Sequence, residues 1–135
     1  MGSLEFHEEK IKEILEAYKS SDSLFIKGIC LFYFAVHSID WVLSKRGVSP
    51  STHRGRKKLI TEHLDEYSYS KFDQLLTASV RIRYTEIASQ KLIEEMKENL
   101  KELINHLQKN HNLESSLANL IIGNLDCLKN SQEKD

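Results

Sequence analysis

Turn-forming residues are scarce in this chain, with one proline and five glycines among 135 residues. So few breakers exclude a loop-rich or many-stranded domain and favour long helices. The two cysteines, Cys30 and Cys127, stand on apolar helix faces without metal-ligand spacing. That excludes a disulfide scaffold and reads as buried free thiols in a reducing cytoplasm. The six histidines include no HExxH and no paired-carboxylate spacing, so neither a metal nor another cofactor is expected. The net charge of −1 excludes an overall basic field, and any contact with nucleic acid must come from a local patch. The N-terminus is charged from Glu5 onward, so no signal peptide is expected. The longest apolar run, Leu24 to Leu43, contains Lys27, His37, Ser38 and Asp40, which suit a core helix better than a membrane span.

What the chain does contain is helical periodicity. Charged residues at 29% and hydrophobic ones at 40% are an ordinary globular mixture for one domain. Its core should run over about residues 6–129, with 130–135 as a flexible tail. Ile11, Ile14, Leu15 and Tyr18 form an apolar stripe within a helix over Phe6 to Lys19. Ser20-Ser21-Asp22-Ser23 breaks it and supplies caps for a second, central helix from Leu24 to Arg46. Gly47 can take a left-handed cap, Pro50 forbids continuation, and Ser51 or Thr52 can cap a short polar helix, His53 to Leu64. Asp65 to Ser68 reads as a turn, and a fourth helix over Tyr69 to Ile87 should bury Phe72, Leu75, Leu76 and Tyr84. Ser89 is a plausible cap for a fifth helix with Leu92, Ile93, Met96, Leu100, Leu103, Ile104 and Leu107. A sixth is expected over Leu113 to Lys129. The fold class is all-α: an up-and-down antiparallel bundle of five to six helices.

Cations gather beside the central helix. His53, Arg54, Arg56, Lys57 and Lys58 open the third helix, where exposed N–H groups already favour an anion. The alternative is a solvated face whose arginines pair with Asp65, Glu66 or Asp73. Arg56 and His63 stand two turns apart on one helix face. Arginine can stabilise a charged phosphorus centre while histidine moves protons, so this pair could cleave RNA without metal. Five arginines and six histidines give roughly 0.7 such R-x4–6-H pairings by chance. His37 in the central helix is either a neutral structural histidine or a site residue approached by Arg56 or Arg83. Arg83-Tyr84 either ties the fourth helix to the second through Asp40 or lines a phosphate pocket.

In order along the chain stand Tyr33-Phe34-Ala35-Val36-His37, Gly47-Val48-Ser49-Pro50, His53-Arg54-Gly55-Arg56 and Leu75-x3-Ser79-x3-Arg83-Tyr84. Together they resemble the HEPN superfamily (higher eukaryotes and prokaryotes nucleotide-binding domain), in its small stand-alone prokaryotic form. The resemblance covers about residues 24–107. It implies a helical bundle, usually homodimeric, that binds RNA or nucleotides or acts as a metal-independent ribonuclease in toxin–antitoxin and defence systems. A small nucleotidyltransferase or antitoxin is the implied protein partner. Active members carry R-x4–6-H in a late helix with a polar residue after the arginine. Here the nearest such pair lies in the third helix, and Lys57 follows its arginine.

The expectation is a cytoplasmic RNA- or nucleotide-binding domain with weak or no ribonuclease activity, without membrane contact. Arg56 and His63 are the catalytic candidates, and His53, Arg54, Arg56, Lys57 and Arg83 the phosphate-binding ones. Tyr33, His37 and Tyr84 would support them. The competing expectation is a non-catalytic interaction or dimerisation module whose His/Arg cluster is structural.

Overall fold

The computed structural model describes residues 3–85 and 88–126. Six helices follow one another: α1 (Leu4–Ser20), α2 (Leu24–Lys45), α3 (His53–His63), α4 (Glu66–Thr85), α5 (Gln90–His111) and α6 (Ser115–Ile122). No strand occurs among the described residues, and the chain is an all-α bundle.

Local chemistry sets the ends. Ser23, Thr52 and Ser89 each accept a backbone N–H at the start of α2, α3 and α5. Gly47 takes the left-handed conformation after α2 (φ 80°) that a side chain would strain. Asn112 does the same after α5 (φ 63°), and Leu113 N–H returns to the Leu107 carbonyl at 3.1 Å. Two boundaries differ from expectation by more than two residues. Helix α4 begins at Glu66 because the Asp65 carboxylate accepts Ser68 N–H at 2.8 Å, turning the expected turn into a cap. Helix α6 stops at Ile122, where Asn124 donates its side-chain amide to the Leu120 carbonyl and turns follow. The expected continuation to Lys129, the tail 130–135, Cys127 and Ile87 lie outside the described residues.

Helix α2 is the centre, packing against α1, α3, α4 and α5. It carries Leu31, Phe32, Phe34, Ile39 and Leu43 into the core, where Phe72 and Leu75 of α4 and Leu100 and Ile104 of α5 meet them. Among the described helices it alone is long and apolar enough to cross a membrane, yet most of that length is buried inside the bundle. Gly28 permits its close approach to its neighbours. A Cβ there would lie 2.5 Å from Ile82 Cδ1 and 3.1 Å from Ile93 Cδ1. Two charged residues of α2 find partners: Lys27 donates to the Tyr18 carbonyl at 2.7 Å, and Asp40 pairs with Arg56. Cys30 is a buried free thiol, and burial pushes its pKa up, which keeps it unreactive. Tyr84 departs from its expected burial. It is 77% exposed because it follows the buried Ile82 by two residues and so points off the packed face of α4.

Candidate functional site: a histidine-lined cavity between α1, α2 and α3

Helix α1 presents His7 on the same stripe as Ile11, Leu15 and Tyr18, so this imidazole is carried inward with the apolar residues. Helix α2 presents Tyr33, His37 and Asp40, one and two turns apart on one face. The Ser49-Pro50 turn then brings the start of α3 back, and with it His53 and Arg56. These residues, with Phe6 and Val36, line a cavity of about 340 Å³.

At its base is a buried ion pair. Arg56 donates Nε to Asp40 Oδ1 at 2.7 Å and Nη2 to Oδ2 at 2.8 Å, a two-pronged contact with both side chains almost wholly buried. Its Nη1 donates to His53 Nδ1 at 2.7 Å. Arginine can only donate, so Nδ1 of His53 is the acceptor and the ring proton sits on Nε2. His7 and His37 meet through their Nδ1 atoms at 2.9 Å, so one of them donates and the other accepts. The donor therefore keeps a free Nε2 lone pair and the acceptor a free Nε2–H. The cavity thus offers one imidazole base and two imidazole donors without any charged histidine.

The pKa directions agree with that wiring. Burial lowers His37 to about 4, with repulsion from His7 adding to it. Burial also lowers His7 and His53; for His53, Arg56 and Arg83 push further in the same direction, against Asp40. Aromatic rings pack around the three imidazoles, Phe6 and Tyr33 from the cavity wall and Phe32 from the core behind it. Phe6 stands edge-on to His7 at 5.2 Å, Tyr33 lies 6.5 Å from His37, and Phe32 stands edge-on to His53 at 5.3 Å.

Of the residues singled out in the sequence, Tyr33, His37, His53 and Arg56 meet here. His63 does not join them. It ends α3, about 10 Å further along the axis at 1.5 Å per residue, and its carbonyl accepts Arg46 Nη1 at 2.8 Å. The imidazole beside Arg56 is His53. Lys57 turns away to Asp73 at 2.7 Å, and Arg54 is exposed. Arg83 donates to the Ser79 carbonyl and hydroxyl at 3.3 Å, has no carboxylate partner among the described residues, and lies close enough to depress His53. Tyr84 stands outside, touching Arg83 through its ring at 5.8 Å. Asp40 holds Arg56 where the sequence suggested Arg83. His7 went unnoticed in the sequence, although its four-residue spacing from Ile11 was the signal of an inward histidine.

No family model, curated protein or solved structure matches this chain. What the site can do is read from its own chemistry. Neutral imidazoles at physiological pH can accept and donate hydrogen bonds and take up a proton during a reaction. Aromatic walls suit a planar ring, and two Arg56 N–H bonds remain for an oxyanion.

Proposed function

We propose that this chain is a HEPN-like RNA- or nucleotide-binding protein whose ligand enters the α1–α2–α3 cavity. The observation that carries the reading is the meeting of Tyr33, His37, His53 and Arg56, four residues from two separate sequence motifs, in one aromatic-walled cavity with His7. A base or sugar lies against Phe6 and Tyr33, and an oxyanion faces His53 Nε2–H with Arg83 nearby. Asp40 neutralises most of the Arg56 charge, so binding engages few phosphates and depends only shallowly on salt. Where cleavage occurs it is metal-independent, with His7 or His37 as the base and the remaining Arg56 N–H bonds on the developing charge. A place in the cytoplasm, beside an antitoxin or small nucleotidyltransferase, belongs to the same proposal.

The test is a single-turnover incubation of labelled RNA oligonucleotides in EDTA, reading both retention and cleavage. His53→Ala should lose at least tenfold in affinity while keeping the wild-type helical spectrum, and Arg83→Ala should lose less. Retention without cleavage identifies a binding module. No retention of RNA or nucleotides by the wild type sinks the proposal.

A second reading has its own support. Arg56 is buried and already neutralised, as a structural residue would be, and Tyr84 is exposed beside Val80 on α4. Helix α4 meets the start of α2 through Ile82 and Gly28, and Phe25 and Ile26 of that start are also exposed. These residues make an apolar margin suited to a second copy of the chain. Sedimentation analysis of wild type against Tyr84→Ser separates a homodimer from a monomer.

A further inference from the structure

At the opposite end of α3 from the cavity, three side chains from two distant parts of the chain converge on one point. Asp65 follows α3, and His106 and His111 occupy the last two turns of α5. Nε2 of His106 and Nε2 of His111 each lie 2.7 Å from the same oxygen, Asp65 Oδ2. One ligand atom from each residue lies within 4.8 Å of the other two, and no other such trio of histidine, cysteine or carboxylate occurs among the described residues.

We propose that Asp65, His106 and His111 bind a divalent transition ion of the zinc type, with water as the fourth ligand. Two imidazole nitrogens and one carboxylate oxygen suit zinc, cobalt or nickel, whereas magnesium and calcium need mostly oxygen ligands. A tetrahedral ion with bonds near 2.0–2.1 Å spaces its ligand atoms about 3.3 Å apart. Each 2.7 Å contact therefore opens by about 0.6 Å on loading. Side-chain torsions supply that without moving a helix. The ligands come from positions 41 and 46 residues apart, so the ion closes long loops and clips the α3–α4 corner to the end of α5. Access lies alongside: a cavity of about 380 Å³ opens at His106, between Tyr67, Glu102 and Asn110.

The outer contacts set the affinity. Without an ion, both imidazoles carry the proton on Nε2, giving it to Asp65. Loading moves that proton to Nδ1 and frees Nε2 for the metal. Nδ1 of His106 faces the Asn110 amide at 3.0 Å, whose oxygen can turn to accept the relocated proton. Nδ1 of His111 faces Arg46 Nη2 at 3.1 Å, a donor that cannot accept one. Arg46 must swing away from His111 while its Nη1 stays on the His63 carbonyl. It therefore competes with the metal.

Titration of the EDTA-stripped full chain with Co²⁺ reads the site through the visible bands of four-coordinate cobalt. The expected result is saturation at one ion per chain, displaced by Zn²⁺. Affinity falls at least tenfold in Asp65→Asn, which keeps an acceptor for the α4 cap, and in His111→Gln. It is unchanged in His37→Asn, and it rises in Arg46→Met. Zn²⁺ should also raise the melting temperature of the wild type and not of Asp65→Asn, and far-UV circular dichroism verifies that each variant folds. A weak octahedral spectrum overturns the proposal, and so does an affinity unmoved in both Asp65→Asn and His111→Gln. The RNA assay runs in EDTA on the other cavity, so failure of one test leaves the other standing.

Discussion

Each end of α3 carries a cluster of histidines with one aspartate and one arginine, and the two clusters are wired in opposite ways. In the α1–α2–α3 cavity Asp40 is taken by Arg56, and His7, His37 and His53 are left with one another and the guanidinium. Burial then removes their protons, and His37 falls to about 4. At the α3–α5 corner Asp65 is taken by His106 and His111, while Arg46 reaches only a ring nitrogen and a carbonyl. Burial works to raise Asp65, but hydrogen bonds from His111, the Ser68 backbone and His106 outweigh it and hold the carboxyl well below its ordinary range. The same residue types thus give a neutral cavity in one place and a ligand-like trio in the other. The partner that the carboxylate takes decides between them.

The largest expected effect comes from breaking the first pairing. Asp40→Ala leaves the Arg56 charge buried without its partner and should cost about 3–5 kcal/mol in urea unfolding. The double variant Asp40→Leu/Arg56→Met removes both charges and should recover most of that loss. If it recovers nothing, the pair is not the source of the effect.

Asp65→Ala should cost less, about 1–3 kcal/mol, because it removes hydrogen bonds from two imidazoles and a backbone amide on a more exposed corner and strands no buried guanidinium. A loss exceeding that of Asp40→Ala would reverse the contrast drawn between the two ends.

The mildest effect is on pH dependence. His37 has a folded pKa below its ordinary value of 6.5, so the unfolded chain binds its proton first as pH falls. Stability should be full above about 6.5 and decline toward 4, seen as a falling melting temperature. His37→Asn should flatten that slope.

Much of the fold could be read from residues alone. The apolar stripes place six helices, and Gly47, Ser89 and Thr52 or its neighbour Ser51 mark their ends, because caps act within three or four residues. The start of α4 was misread because Asp65 suits a turn and a cap equally, and only the Ser68 contact distinguishes them. Tyr33, His37, His53 and Arg56, which line one cavity, had been singled out from their order along the chain. His63 was drawn in by its spacing from Arg56, which places two residues on one helix face without saying what that face meets.

Residue order determined that this chain is helical, that α2 is its centre and where cations accumulate, since periodicity and capping are local. Tertiary structure decided that Arg56 faces Asp40, that His7 joins His37 from another helix and that Asp65 meets His106 and His111. Those contacts span from 16 to 46 residues, and helix packing, which sequence spacing does not encode, sets them.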